Sequence, residues 1–98
     1  MIYKVLVSDE AIFDITEASF WYDSQKKGLG EKFQRDIEIG IEYLSKEPQT
    51  LQRRYKNVHI YFTKIFPFGI HYVIEQSSVK VIGVFHTSKN PKNWSNRL

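Results

Sequence analysis

The stretch Phe66-Pro67-Phe68-Gly69-Ile70-His71-Tyr72-Val73-Ile74-Glu75-Gln76-Ser77-Ser78-Val79-Lys80-Val81-Ile82-Gly83-Val84-Phe85-His86 decides the fold class. The chain turns near Phe66-Pro67. Ile70, Tyr72 and Ile74 then face one way, with His71, Val73 and Glu75 opposite. A period of two is the mark of a strand. Gln76-Ser77-Ser78 reads as a turn, and Val79 to His86 as a last, strongly β-branched strand. One strand earlier, Val58 to Lys64 sets Val58, Ile60 and Phe62 against His59 and Tyr61. Short turns between successive strands favour an antiparallel meander.

Upstream the period changes from two to about 3.6. Ala11, Ile15, Ala18 and Tyr22 recur at helical spacing, with Asp14 and Glu17 off that stripe. Ser8 is a capping residue for this helix, with Asp9 and Glu10 in its first turn. Lys26-Lys27-Gly28 reads as its C-terminus. A second helix starts near Gly30-Glu31 and carries Leu29, Phe33, Ile37, Ile41 and Leu44 on one stripe, with Gly40 beside it. Lys32, Arg35, Asp36, Glu38 and Glu42 cover its other side, and it should end before Pro48. Tyr3-Lys4-Val5-Leu6-Val7 is a short strand ahead of both helices. The order is β-α-α-β-β-β: an α+β fold with a helix hairpin packed on one face of an antiparallel sheet. Residues 1–98 read as a single domain. The far face of the sheet is expected to stay uncovered and positively charged.

The chain of 98 residues is 42% hydrophobic and 15% aromatic, a folded rather than a disordered composition. It has no cysteine, which excludes disulfides and thiolate metal sites. Its three histidines lack i, i+4 pairing or a clustered carboxylate, so no metal site is expected. Gly28-Leu29-Gly30 joins two helices and follows no strand, so no nucleotide site or other cofactor is expected either. No stretch approaches the ~18 apolar residues of a membrane helix. The first residues lack the pattern of a signal peptide, so a cytoplasmic location without membrane association is expected. Charge is uneven. Residues 1–49 hold six Lys/Arg and ten Asp/Glu, net −4; residues 50–98 hold eight Lys/Arg and one acid, net +7. A basic second half suggests an anionic partner or an ordinary solvated face.

Three signatures carry a family resemblance. Trp21-Tyr22 precedes Gly28-Leu29-Gly30 and Phe33 across the helix link. Phe66 to Tyr72 opens the third strand. Val84-Phe85-His86-Thr87-Ser88-Lys89-Asn90-Pro91-Lys92-Asn93-Trp94 ends the chain, with Arg97 close behind. In this order and spacing they resemble the RelE/ParE superfamily of bacterial type II toxin–antitoxin systems, over almost the whole chain. The resemblance implies a small toxin neutralised by a cognate antitoxin, in a toxin–antitoxin hetero-oligomer. Phe13, Phe20, Trp21 and Ile39, off the main core stripes, are the candidates for antitoxin contact.

The superfamily divides by target. RelE-like members resemble ribosome-dependent messenger RNA endoribonucleases, which need a base, a phosphate-binding cation and an acid. ParE-like members, including plasmid stabilisation proteins, resemble DNA gyrase inhibitors that act by binding. RelE-like enzymes carry an aromatic, an Arg and a second aromatic in the third strand. Here Phe68 and Tyr72 match the aromatics, but Gly69 stands at the Arg position. After the last strand His86 is followed by Thr87, with Lys89 the nearest cation, and Trp94 is the closest match to a terminal stacking Tyr. The Phe-Pro-aromatic turn and the ending look more like the ParE side, although His59 departs from an Arg frequent there. The expectation is therefore a ParE-like inhibitor that binds its target, gyrase. The alternatives are a RelE-like ribonuclease acting on ribosome-bound messenger RNA with His86 and Lys89 as catalytic residues, or a non-toxic binding module on the same fold. Arg53, Arg54, His59, Lys64, His71, Trp94 and Arg97 are the candidate contacts to the target or to nucleic acid.

Overall fold

A computed structural model describes residues 2–88 and Arg97. Strand β1 (Lys4–Val7) leads into helix α1 (Asp9–Gln25) and helix α2 (Leu29–Lys46). A 3-10 turn (Pro48–Thr50) precedes strands β2 (Arg53–Tyr55), β3 (Val58–Phe62), β4 (Phe68–Glu75) and β5 (Ser78–His86). The sheet order is β1-β5-β4-β3-β2. The expected α+β layout holds, with two refinements. The sheet is mixed, because β1 joins β5 in parallel while β2 to β5 form the antiparallel meander. The three-residue β2 is an additional edge strand, too short for its alternation to show in the sequence.

Local chemistry sets the helix ends. Ser8 Oγ accepts the Ala11 N–H at 3.1 Å, and Asp9 and Glu10 occupy the first turn, as the capping pattern requires. Helix α1 ends at Gln25, and Gly28 takes a left-handed φ of 89°, which turns the chain directly into α2. The helices then approach closely. A Cβ at Gly30 would collide with the Ser19 backbone oxygen and the Asp23 carboxylate, and Asp23 Oδ1 accepts the Gly30 N–H at 2.7 Å.

Helix α2 buries Phe33, Ile37 and Leu44 on the sheet against Ile70, Tyr72, Val79, Val81 and Val84. Ile70, Tyr72 and Ile74 share this side, as their alternation predicts. In β5 the alternation breaks. The register shifts between His71 and Tyr72 of the partner strand, which face Gly83 and Val81, so Ile82 is a bulge residue. Ile82 packs on the far face with Val58 and Val73, while Val84 packs under the helices. Simple parity places Ile82 with Val84 and His86 on one side; the bulge moves Ile82 to the other.

The far face is also not as expected. Val58, Ile60, His71, Val73, Ile82 and Phe85 are all buried, so this side is apolar and closed rather than open and positive. Tyr55 packs there, and the Arg97 guanidinium lies 4.9 Å from the Phe85 ring centre.

Asp36 is a further correction. Expected on the solvated side of α2, it is 2% exposed and accepts the N–H groups of Ile65 (3.1 Å) and Phe66 (2.9 Å) at the β3–β4 turn. Asp36→Ala strips two backbone donors of a charged acceptor. It should lower stability by about 3 kcal/mol, read as a reduced urea midpoint at unchanged slope. A midpoint equal to the parent's would show that the carboxylate does not hold the turn.

Candidate functional site

The predicted contact residues fall into three groups. Arg53, Arg54 and Lys64 are exposed along the β2–β3 edge. Arg54 stands with its guanidinium carbon 5.4 Å from the centre of the half-exposed Phe62 ring. Arg54, Phe62 and Lys64 line one groove of about 350 Å³ with Tyr43, Gln52 and Tyr61.

The second group is turned inward. His71 is 1% exposed, with Nδ1 2.9 Å from the Tyr55 hydroxyl and its ring edge-on to Phe85. It is not a surface cation. His59 is half-buried on the opposite face; its Nδ1 donates to the Leu51 carbonyl at 2.6 Å, and its ring stacks on Tyr72. Arg97 is engaged by acids. Its two terminal nitrogens reach the two Asp14 oxygens at 2.9 and 3.1 Å, its Nε lies 3.3 Å from Glu10, and it donates to the Ile82 carbonyl at 3.1 Å. The Asp14 hydrogen bond, foremost, raises its already high pKa. Asp14 Oδ2 also accepts the Val84 N–H at 3.0 Å. The Asp14–Arg97 pair thus occupies backbone groups of β5 beyond the end of β1.

The third group bears on catalysis. His86 is exposed beside a groove of about 500 Å³ lined by Asp14, Glu17, Trp21, Phe68 and Ser88. Its Nδ1 accepts the Ser88 N–H at 3.1 Å, which leaves the neutral ring's proton on Nε2. Lys89 and Trp94 lie outside the described residues. The three histidines do not converge. His59 and His71 sit on opposite faces; His59 aligns with Tyr72 and His86 with Phe68, four residues along β4. Four residues of strand separate them by roughly 13 Å. Gly69, where RelE-like enzymes carry an Arg, is buried on the closed far face.

The predicted antitoxin contacts divide as well. Phe13, Phe20 and Trp21 project from α1 at 61%, 72% and 59% exposure, joined by Ile12 at 49%. Ile39 is exposed on the other flank. Gly30 and Gln34 face α1 through Asp23 and Ser19, whereas Asp36 and Tyr43 face the β3 side through Ile65, Phe66 and Tyr61. Ile39, three residues after Asp36 and four before Tyr43, lies on that second stripe.

Sequence reading missed Asp14 and Asp36 as organising groups. A signal existed: each stands three residues after a core residue, Ala11 and Phe33, within the buried arc of its helix.

No family model matches the chain, and no curated protein matches it. Among solved structures it matches a chain described as the chromosomal ParDE TA system from P. aeruginosa. The TM-score is 0.74 at 13% identity, over 89% of this chain and 98% of that one. The two chains share a fold. At this identity the ParDE-like backbone is common ground, and function has to be argued from the side chains each chain carries.

The buried His71 gives the ParDE-like fold of this protein a defined acid sensitivity. Burial foremost, and then the Arg97 charge, lower its pKa from 6.5 to about 4, with Asp14 opposing. The unfolded chain takes up a proton near 6.5 that the folded chain refuses. This group therefore costs no stability above about pH 6.5. As pH falls toward 4 the loss grows to about 3 kcal/mol. His71→Gln should show a smaller drop in urea midpoint between pH 7 and 4.5 than the parent. Equal drops would refute a neutral buried ring.

Proposed function

We propose that residues 1–98 form a single-domain toxin of a type II toxin–antitoxin module, ParE-like, cytoplasmic, and neutralised by a cognate antitoxin. One observation carries the reading: a ParDE-like fold whose α1 presents Ile12, Phe13, Phe20 and Trp21 to solvent. Four large apolar side chains so exposed on one helix of a small chain call for a partner. An amphipathic antitoxin segment laid across α1 would bury these rings as anchors.

The toxin acts by binding, and DNA gyrase is the target that the resemblance implies. Two features support binding over ribonuclease chemistry. The histidines are dispersed, and Gly69 stands in a closed apolar face where a phosphate-binding cation would be needed. His86, with Lys89 beyond it, would have to act without the other two rings.

Expression without antitoxin should arrest growth with induction of the DNA-damage response while translation continues. Rapid loss of translation with cleaved messages would overturn the gyrase reading in favour of the ribonuclease. In the same assay Phe13→Asp/Trp21→Asp should stay toxic but escape rescue by the cognate antitoxin. The affinity for that protein should fall at least about a hundredfold, as two lost aromatic anchors require. Full rescue of the double variant would remove α1 as the antitoxin surface.

A further inference from the structure

Helix α1 is apolar on two opposite sides. Ala11, Ile15, Ala18 and Tyr22 face the core. Phe13 and Phe20 stand at 61% and 72% exposure, seven residues apart. At 3.6 residues per turn they share one stripe with Asp9, Thr16 and Ser24, directed away from the core stripe. Ile12 and Trp21 flank that stripe, one on either side. A helix apolar all round is one that is covered all round. The outer stripe is also firmly mounted. Ser8 caps the helix, and Asp23 and Ser19 bond it to α2. A surface held ready in this way loses little entropy when a partner covers it.

Charge selects the partner. Asp9 opens α1, and Lys26 and Lys27 follow directly after its last residue, Gln25. All three are exposed, and none has an ion pair among the described residues. Of the other acids of α1, Glu10 and Asp14 are taken by Arg97, and Asp23 accepts the Gly30 N–H. Glu17, midway along the stripe, stands in water. Between Asp9 and Gln25 there is no Lys or Arg. This face therefore repels phosphate and lacks the basic residues with which interfacial helices hold anionic lipid. It is, however, complementary to itself. Turned end for end, a second α1 sets Phe13 level with the other copy's Phe20, and Asp9 level with its Ser24. Asp9 then stands two and three residues from the other copy's Lys26 and Lys27, within reach of a lysine side chain. The helix dipoles oppose, which is favourable. A parallel pair would instead set Asp9 beside Asp9 and lysine beside lysine.

We infer that the free chain pairs with a second copy of itself through α1, the two helices antiparallel about a two-fold axis near Thr16 and Glu17, with the Phe13 and Phe20 rings packed between them. The contact is isologous and closes at two copies. Glu17 is its one opposed feature. The axis brings this carboxylate beside that of the second copy, and the like charges keep the dimer weak. A better-matched partner laid across α1 would displace it. The inference shares the α1 face with the antitoxin reading but does not rest on it, because self-pairing requires neither an antitoxin nor toxicity.

Sedimentation velocity on the purified full chain tests this. Monomer should give way to dimer as concentration rises through roughly 1–100 µM, the strength of a small transient interface. Amide shifts in a nitrogen-15 spectrum on concentrating the sample should centre on residues 9–25. Phe20→Ser should weaken association at least about tenfold, the scale of a lost aromatic anchor. Lys26→Glu/Lys27→Glu should weaken it severalfold, and adding Asp9→Lys to that variant should recover most of the loss, because the ion pairs re-form with their signs exchanged. Glu17→Gln should tighten it severalfold, and Ile65→Ser, away from α1, should leave it unchanged. All these positions are exposed, and circular dichroism checks that each variant keeps the fold. A monomer at every concentration up to about 300 µM, shifts centred away from α1, full association of Phe20→Ser, or no recovery in the charge-exchanged variant would each overturn the inference. Toxicity and its rescue enter none of these readouts, so the two readings fail separately.

Discussion

A hairpin that is apolar on both faces governs this molecule. Strands β4 and β5 run side by side from Phe68 to Glu75 and from Ser78 to His86. Ile70, Tyr72, Val79, Val81 and Val84 point to one side, and His71, Val73, Ile82 and Phe85 to the other. Such a pair is stable in water only when covered twice. The α1–α2 hairpin covers the first side with Phe33, Ile37 and Leu44. Tyr55 and Arg97 lie over the second. The bulge at Ile82 makes double coverage possible, because it supplies an extra apolar residue to the far side without disturbing Val84.

Polar groups drawn into this arrangement are each matched. Asp36 fixes the β3–β4 turn through two backbone donors. Asp14 holds the Val84 N–H and Arg97 at once, and Arg97 returns a bond to the Ile82 carbonyl. His71 meets the Tyr55 hydroxyl and stays neutral near physiological pH. Unmatched, any of these groups would cost one to several kcal/mol in the interior, roughly. Matched, they fix which turn packs on which helix and how the open end of β5 is closed.

With both sheet faces engaged, recognition is left to helix flanks and strand edges. The α1 surface is aromatic, with acidic residues among its rings; the β2–β3 edge carries Arg53, Arg54 and Lys64. The uneven charge along the chain therefore becomes an uneven charge in space. The three histidines occupy three different environments: His71 against Tyr55, His59 on the Leu51 carbonyl and His86 beside Ser88.

Element order, the helix hairpin, the Ser8 cap and the main strands were legible in the sequence, because periodicity and capping are local physics. The exposed rings of α1 were legible too, since Phe13, Phe20 and Trp21 fall off the core stripe. The parallel seat of β1, the bulge at Ile82 and the closed far face were not. Each depends on register between segments distant along the chain, and one extra residue reverses every facing beyond it. For the same reason, sequence could nominate His59, His71, Arg97 and Arg54 together. Only tertiary packing buried His71 and paired Arg97 with an aspartate 83 residues away, while leaving Arg54 in water. Whether a side chain can meet a partner depends on what covers it, and that is a property of the assembled chain.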